Sequence, residues 1–273
     1  MNNRWFTNHD TESFYDTEND LYKDVRDPNG SVHFGVFEDG EQPADFVKAA
    51  NRLNNWMISK GNITNTSTVL DIGCGTGAVA DYIQQKIGCT FTWIDLSGVR
   101  IEEAKKRALH NDRLTFLKMS ADELSFPRGL FSHVMSQSTL YHVHKREKAI
   151  TKIYDVLKKD WIFVFEDFVR PNAFVSKDSM KYVYERLMYR TGFNHQNYQE
   201  FLQSLWFKII EALDISTHME KSYAFLTQIC EEKLVSWKPE FMSEYKKLYE
   251  AYPYMVKAIQ KGDLWWSFFV CKK

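Results

Sequence analysis

The sequence predicts an α/β protein whose seven-stranded, mostly parallel sheet carries helices on both faces. Continuously apolar segments of strand length alternate with amphipathic helical segments between about residues 68 and 168, and two further apolar segments follow nearer the C-terminus. Strands without polar alternation are typical of parallel sheets that are covered on both faces. The alternation of strands and helices therefore predicts a layered core.

The first 42 residues precede this pattern and are predicted to form a lid or an arm. Seven acidic residues lie between Asp10 and Asp27, and the rings of Phe14, Tyr15 and Tyr22 are interleaved with them. An acidic arm that is anchored on the surface by its rings is one interpretation. A helical lid is favoured, because the rings recur at helical spacing and because lids exclude water from reactive sites.

Residues 43–171 are predicted to form the core of the fold. A helix that ends at Gly61 comes first, because apolar residues recur at helical spacing from Phe46 to Met57. Five buried strands then alternate with helices, and the strand segments read "TVLDIG", "TFTWIDL", "LTFLKM", "FSHVMSQ" and "WIFVFEDF".

Residues 172–205 are rich in tyrosine and methionine and contain no clear strand, so they are predicted to form a helical cap inserted after the fifth strand. Residues 206–273 are predicted to complete the sheet with the segments "FKIIEALDIS" and "LWWSFFVCK". Polar-faced helices are expected between these two strands.

The composition is ordinary for a soluble globular protein and argues against several other classes. The formal net charge is −1, which does not favour a nucleic-acid partner, and no apolar run approaches the roughly 20 residues that cross a membrane. The first ten residues lack the apolar core of a signal peptide. Four cysteines lie far apart without a CxxC pair, so we expect reduced thiols, a cytoplasmic location and no metal site.

Three glycines, Gly73, Gly75 and Gly77, follow the first predicted strand and its Asp71. Such a turn faces the crevice at the carboxyl ends of parallel strands, where ligands bind, and glycine lets a ligand approach the backbone closely. The stretch also fits the dinucleotide fingerprint G-x-G-x-x-A. An acid at the end of the second strand, Asp95, suits a ribose diol in either case, so the turn alone leaves two cofactor classes open.

Three features favour S-adenosylmethionine over a nicotinamide dinucleotide. The carboxylate of Asp71 at the mouth of the crevice would repel a pyrophosphate but would pair with an ammonium group. The segments "KMSADELSF" and "MSQSTLYHV" follow the third and fourth strands and place polar groups at the same edge of the sheet. A ligand made of adenine, ribose and a cationic amino-acid tail fits this arrangement.

The sequence resembles class I S-adenosylmethionine-dependent methyltransferases, whose sheet is Rossmann-like, in the segments "VLDIGCGTGAVA", "WIDLS", "MSQSTLYHV", "VLKKDWIFVFEDF" and "WWSFFVCKK". The resemblance extends from about Ser31 to the C-terminus and is strongest between Val69 and Phe168. It is to the small-molecule group that contains sarcosine/dimethylglycine, tocopherol and geranyl-diphosphate methyltransferases. It implies an enzyme that uses S-adenosyl-L-methionine and releases S-adenosyl-L-homocysteine.

The resemblance also implies which residues hold the cofactor. Asp71 would face its amino group, and Asp95 would bind both ribose hydroxyls. Tyr15 and Tyr22 would close over it as part of the lid. The other positions implied to line the cofactor site are Gly73, Cys74, Gly75, Leu96, Ser120, Ala121 and Gln137.

Methyl transfer is an in-line displacement that depends on alignment, since orientation alone lowers a barrier by roughly 7–11 kcal/mol. His142 is the candidate for a group that accepts a proton from the methyl acceptor. The alternative is a packing or helix-capping histidine. Tyr141 either lines the pocket, as a second catalytic candidate, or packs beside it.

The methyl acceptor is expected to be a small molecule that contacts His33, His142, Glu166, Arg186 and Arg190. N-methylation of a small amine of the sarcosine/dimethylglycine type is favoured by the resemblance and by an aromatic, acid-containing pocket.

Two alternatives to N-methylation remain open. C- or O-methylation of an isoprenoid or another natural product is one, because Lys177, Lys181, Arg186 and Arg190 could together bind a diphosphate. A non-catalytic cofactor-binding protein of the same fold is the other, since a fold does not fix a function. We expect no nucleic-acid or membrane partner, and a monomer or a homodimer.

Overall fold

The computed structural model of the protein describes residues 6–17, 19–108, 111–189, 192–236 and 241–273. The side chains of Thr17, Asn19, Asp20 and Tyr22 are outside that description, and so is Arg190. The predicted roles of Tyr22 in cofactor binding and of Arg190 in acceptor binding therefore lie outside the described residues.

The sheet contains the strands Thr68–Ile72 (β1), Thr90–Asp95 (β2), Leu114–Lys118 (β3), Phe131–Gln137 (β4), Leu157–Val169 (β5), Lys208–Asp214 (β6) and Trp265–Lys272 (β7). Their order across the sheet is β3-β2-β1-β4-β5-β7-β6. β1 to β5 pair in parallel, whereas β7 is antiparallel to both β5 and β6. The predicted seven-stranded, mostly parallel, Rossmann-like sheet is confirmed.

The helices are Asn8–Thr17 (α1), Asn19–Val25 (α2), Phe46–Gly61 (α3), Ala78–Ile87 (α4), Gly98–Arg107 (α5), Arg146–Val156 (α6), Lys177–Ser179 (α7), His195–Ser204 (α8), Ser216–Val235 (α9) and Met242–Gln260 (α10). The short α7 continues as a π-helix over Met180–Glu185.

Helices cover both faces of the sheet, as predicted. Alternate residues of β1 face opposite sides: Val69 belongs to one hydrophobic cluster and Leu70 to another. The first cluster includes buried side chains of α3, α4, α5, α9 and α10, and the second includes those of α6 and α8. Two apolar layers therefore bury the central strands on both sides.

The segment 172–205 is helical, as predicted, but its two halves lie apart. The π-helix Met180–Glu185 packs against α10. Tyr198 and Leu202 of α8 are instead buried in the hydrophobic cluster on the opposite face of the sheet. The two halves therefore do not form one continuous cap, because α8 is an ordinary covering helix of the sheet.

Helix α6 ends at Val156, before the end of the segment "REKAITKIYDVLKK" that the sequence predicts as helical. Leu157 is already extended and pairs with Phe131 of β4. Further along β5, Asp160 adopts a φ of +69° and donates its N–H to the carbonyl oxygen of Lys273 at 2.8 Å. Strand pairing thus replaces the last helical turn.

The two helices of the arm differ in how deeply they are packed. Leu21 and Val25 of α2 are buried in the first hydrophobic cluster. In α1, Thr11 is buried, and the other side chains described from Asn8 to Asp16 are partly or fully exposed. α2 is therefore anchored in the core, whereas α1 rests on the surface of the pocket described below.

Among the described residues, no helix combines the length and the apolar character needed to cross a bilayer. The same residues contain no group of three or more His, Cys, Asp or Glu side chains that could hold a metal ion. All four cysteines are buried and have free thiols.

Candidate active site

A pocket lies where the strand order reverses, beyond the carboxyl ends of β1, β2 and β4. Such switch points are where open α/β sheets bind ligands. The glycine turn, the loops after β2, β3 and β4, helix α1 and residues 30–33 of the arm form its wall. The predicted site residues that line it are Tyr15, His33, Asp71, Gly73, Cys74, Gly75, Asp95, Leu96, Ser120, Ala121, Gln137 and His142.

The glycines of the turn serve two different purposes. Gly73, Gly75 and Gly77 all have positive φ angles, which favour glycine. A Cβ atom on Gly73 would lie 2.1 Å from Thr139 Oγ1, and one on Gly77 would lie 2.7 Å from an aromatic ring. These two positions are constrained by packing within the protein. A Cβ atom on Gly75 would meet only the Nη1 atom of Arg100, at 3.2 Å, so this glycine faces the ligand space.

Asp95 is fixed at the end of β2 by two backbone donors. The N–H groups of Gly75 and Ser97 donate to its Oδ2 and Oδ1 atoms, both at 2.8 Å. Burial raises the pKa of the Asp95 carboxyl, and the guanidinium of Arg100 opposes that effect. The oriented carboxylate retains lone pairs that can accept from a ribose diol.

Asp71 provides a test of whether the pocket fits S-adenosylmethionine. Its side chain is buried at the end of β1. Burial, and secondarily the negative charge of Asp95, raises the pKa of Asp71 to about 7, and no cationic group among the described residues lowers it. The ammonium group of an S-adenosylmethionine tail would supply the missing opposite charge. The residues present therefore fit this cofactor.

Ser120 lies where the adenine edge is expected, and its hydroxyl group is already engaged. Its Oγ donates to Asp122 at 2.5 Å, and Asn8 of α1 donates to Ser120 Oγ at 3.3 Å. Helix α1 therefore contacts the end of the pocket where the adenine is expected.

The loop after β4 enters the pocket in a strained conformation. Ser138 has a φ of +48°, which is uncommon for a residue with a Cβ atom. Its Oγ donates to Glu166 at 2.8 Å, and Trp266 Nε1 donates to the same carboxyl group. Glu166 does not line the pocket. We expected it to contact the acceptor; the structure instead places it behind the wall, where burial raises its pKa to about 8.

His142 and Tyr15 meet at the pocket. Tyr15 Oη lies 2.6 Å from His142 Nε2, and the direction of this hydrogen bond depends on the tautomer. Burial lowers the pKa of His142 to about 3, with smaller contributions from Arg146 and Arg100. The imidazole is therefore neutral at physiological pH. Helix α1 supplies the phenol, and the loop after β4 supplies the imidazole.

Tyr141 lies behind His142 and does not line the pocket. Its ring lies 3.8 Å from the His142 ring and 4.4 Å from the Phe168 ring, measured between centroids. Its backbone N–H donates to Asp167 Oδ1 at 2.8 Å. These contacts correspond to the packing alternative that the sequence left open. Tyr141 thus fixes the orientation of the imidazole.

Arg186 is also absent from the pocket lining. Its guanidinium lies 5.6 Å from the centre of the Tyr252 ring, and that of Arg26 lies 5.0 Å from the centre of the Phe34 ring. The buried hydroxyl groups of Tyr223 and Tyr252 have no hydrogen-bond partner of good geometry among the described residues. Both arginines lower the pKa of both tyrosines against the effect of burial. We call Arg26, Arg186, Tyr223 and Tyr252 the Arg–Tyr cluster.

Comparison with known proteins gives methyltransferases among the matches. A methyltransferase domain matches residues 69–160. An O-methyltransferase of Pyrenophora dematioidea is 25% identical over 214 residues, which are 77% of this chain and 79% of that protein. A sarcosine/dimethylglycine N-methyltransferase of Halorhodospira halochloris is 22% identical over 249 residues, which are 89% and 88% of the two chains.

Among solved structures, phosphoethanolamine N-methyltransferase 2 of Haemonchus contortus, in complex with phosphomonomethylethanolamine and S-adenosylhomocysteine, superposes with a TM-score of 0.82 at 19% identity. The superposition covers 97% of this chain and 59% of that one. The chain is an S-adenosylmethionine-dependent methyltransferase. Its relatives act on nitrogen, oxygen or carbon according to their names, so the acceptor of this methyltransferase is a separate question.

The pocket of this methyltransferase contains a buried arginine that is not among the predicted site residues. Arg100 lines the pocket and is 2% exposed, although its segment "GVRIEEAKKRAL" has the pattern of an amphipathic helix. The sequence does contain a signal that Arg100 has a special role. Arg100 lies in the first turn of α5, after the N-cap Ser97, where its positive charge interacts unfavourably with the helix dipole. A charge in an unfavourable local position often has a tertiary role.

Proposed function

We propose that this methyltransferase N-methylates a small amine that carries a carboxylate, of the sarcosine/dimethylglycine type. The observation that carries the proposal is the hydrogen bond between Tyr15 Oη and His142 Nε2 at the pocket. Such an amine is cationic near neutral pH, so its nitrogen must lose a proton before it can attack a methyl group. A neutral imidazole bonded to a phenol provides a route for that proton.

The proton is relayed in this proposal. The ammonium N–H of the acceptor donates to Tyr15 Oη, and Tyr15 passes its own proton to His142 Nε2. The nitrogen lone pair then forms the new N–C bond as the C–S bond breaks. The cofactor, when bound, supplies a methyl group on positively charged sulfur. Because burial lowers the pKa of His142 to about 3, the protonated imidazole is short-lived in this proposal, and release of the proton to solvent completes the step.

The Arg–Tyr cluster supports a carboxylate on the acceptor. Guanidinium and phenol groups are donors that match a carboxylate, and arginine does so with two parallel hydrogen bonds. Arg26 donates to the carbonyl oxygen of Val32. Val32 and His33 line the pocket, so the cluster lies directly behind this wall. Because the cluster does not itself line the pocket, we infer that the positive charges of Arg26 and Arg186 favour a carboxylate on this side of the pocket without direct contact.

A hydroxyl acceptor is the second candidate, because the Tyr15–His142 pair would accept a hydroxyl proton by the same route. An isoprenoid diphosphate receives less support. Lys177 and Lys181 are exposed, whereas Arg186 packs against the ring of Tyr252. None of these three cations lines the pocket, so they give no support for a diphosphate bound there.

Turnover on matched acceptors tests the proposal. The protein is incubated with S-adenosylmethionine and with sarcosine, N,N-dimethylglycine, glycolate or geranyl diphosphate in turn. S-adenosylhomocysteine and the methylated product are then measured by mass spectrometry. We expect turnover with the two amines and none with glycolate, which replaces the amine with a hydroxyl group. Turnover with the hydroxyl compound alone would establish O-methylation, and no product from any amine would refute the proposal.

Substitution of the proposed relay tests its chemistry. Tyr15→Phe and His142→Gln are each expected to lower kcat by about 100-fold, which is typical of a lost acid–base group. His144→Gln is the matched control, since His144 is exposed two residues further on and should retain wild-type turnover. An unchanged kcat in His142→Gln would assign His142 to packing.

A further inference from the structure

We propose that Arg100 is a positioning residue that couples cofactor binding to closure of α1 over the pocket. Helix α1 carries Tyr15, so this coupling determines whether the Tyr15–His142 pair is assembled. The inference concerns the cofactor site and does not depend on which acceptor is methylated.

Arg100 joins the two sides of the pocket. Its Nε donates to the backbone carbonyl oxygen of Tyr15 at 3.3 Å, and its guanidinium carbon lies 4.5 Å from the centre of the Tyr15 ring. On the other side, Nη1 faces the open side of Gly75, and the positive charge acts on the carboxylate of Asp95. One buried side chain therefore touches both the lid helix and the groups that receive the cofactor.

The Arg100 guanidinium is incompletely satisfied in this arrangement. Its Nη2 atom is buried and has no hydrogen-bond partner among the described residues. A buried donor without an acceptor is unfavourable, and the cofactor brings oxygen atoms to the neighbouring Asp95. A cofactor oxygen that accepts from Nη2 would hold the guanidinium in place. The ring and carbonyl of Tyr15, which rest on the guanidinium, would be held with it.

Other hydrogen bonds of α1 lie on the cofactor side of the pocket, which favours this coupling. Three hydrogen bonds connect α1 to the ends and loops of β2 and β3: Asn8 to Ser120 at 3.3 Å, Lys118 to Glu12 at 2.6 Å and Ser97 to Asp16 at 2.5 Å. These partners border the cofactor half of the pocket, whereas Tyr15 reaches across to His142. In the Glu12–Lys118 pair the Lys118 side chain is 54% exposed, so solvent screens the pair and reduces its contribution. We therefore expect the position of helix α1 to depend on whether the cofactor half of the pocket is occupied.

Hydrogen–deuterium exchange with S-adenosylhomocysteine, in the absence of any acceptor, tests the inference. In the wild-type protein the ligand is expected to slow exchange of the amides of residues 8–17 by about tenfold, because it stabilises the closed lid. In Arg100→Met, at ligand concentrations that saturate binding by titration calorimetry, exchange of these amides should slow by less than about twofold. Lys106→Met is the matched control, since Lys106 is an exposed cation on the same helix.

The outcomes separate coupling from a merely structural role. Wild-type protection of residues 8–17 in ligand-saturated Arg100→Met would overturn the inference, and so would an equal loss of protection in Lys106→Met. Once an acceptor is known, Arg100→Met should lower kcat even at saturating cofactor. If circular dichroism shows that Arg100→Met does not fold, Arg100→Lys is used, which keeps the charge but loses the planar fork. Protection of residues 8–17 in ligand-saturated Arg100→Lys and in Lys106→Met then decides between coupling and a structural role.

Discussion

Asp71 is buried at the point where the cofactor's ammonium group is expected, and its ionisation has a direct effect on binding. Burial, with a smaller contribution from Asp95, raises its pKa to about 7. The protonated form offers no charge to an ammonium group, and the ionised form does. Cofactor affinity should therefore depend on pH in the physiological range.

We predict that affinity for S-adenosylhomocysteine rises between pH 6 and pH 8, because Asp71 ionises over this interval. In Asp71→Asn the affinity should be weaker by roughly 1–3 kcal/mol and nearly independent of pH. Titration calorimetry at three pH values makes the comparison. Asp112→Asn, at an exposed position, should retain the wild-type pH dependence. A wild-type affinity that does not change with pH would remove Asp71 from the ammonium site.

Single residues also show what the sequence could and could not predict about the site. Asp71 and Asp95 were predictable, because each ends a recognisable buried strand and the carboxyl ends of parallel strands meet at one edge. The Tyr15–His142 contact joins residues 127 positions apart, so no local pattern indicates it. Glu166 lies near the carboxyl end of β5, yet the hydrogen bonds from Ser138 and Trp266 keep it behind the wall.

At the scale of elements, the helices of the arm also combine a feature that the sequence predicts with one that it does not. The sequence predicted a lid from the spacing of aromatic rings, and the structure places α1 against the pocket and α2 in the core. The difference in burial between the two helices depends on tertiary packing that a helical pattern does not encode. In the same way, the composition of residues 172–205 predicted helices, but not that α8 crosses to the other face of the sheet.

Two truncations are predicted to separate the roles of these helices. Removal of residues 1–17 should leave the melting temperature within a few degrees of wild type, because α1 buries little apolar surface. Methyl transfer should nevertheless be lost with Tyr15. Removal of residues 1–27 also deletes Leu21 and Val25, whose burial contributes about 1.5–3 kcal/mol each.

Circular dichroism melts and turnover assays of both truncated proteins provide the measurement. The longer deletion should melt clearly lower than the shorter one. Retained turnover in the shorter protein would show that α1 is a surface arm and not a functional lid.

At the scale of the whole molecule, buried carboxyl groups and buried histidines make opposite contributions to the pH dependence of stability. Burial raises the pKa of Glu166 to about 8, of Asp71 to about 7 and of Asp167 to about 6. Between about pH 4 and pH 8 these groups hold more protons in the folded state than in the unfolded state, so they lower the free energy of unfolding as pH rises. Glu41 raises the free energy of unfolding as pH rises, and it does so at lower pH than the raised carboxyl groups act. Its hydrogen bond from Arg52 lowers its pKa to about 2, and its stabilisation is lost as the pH falls through that value.

Buried histidines act in the opposite direction to the raised carboxyl groups, because burial lowers the pKa of His133 to about 4 and that of His142 to about 3, so these groups raise the free energy of unfolding as the pH rises from 5 to about 6.5. We therefore predict the contribution of Glu166 by itself. Urea unfolding at pH 5 and pH 8 should show that Glu166→Gln shifts the change in the free energy of unfolding between these pH values by about 1 kcal/mol or more in favour of pH 8, because the substituted side chain no longer titrates. Glu231→Gln, on an exposed part of α9, should leave that change as it is in the wild type. The same change in Glu166→Gln as in the wild type would contradict the prediction.

Strand β7 follows every other strand in the sequence, yet it lies between β5 and β6 in the sheet. During synthesis on the ribosome, the edge of β5 stays open and β6 has no strand to join until residues 265–272 emerge from the exit tunnel. Unpaired strand edges of this kind promote aggregation of nascent chains. Premature termination just before residue 265 would therefore release a polypeptide that contains every residue of the pocket but cannot close its sheet, which makes it a substrate for chaperones and proteases.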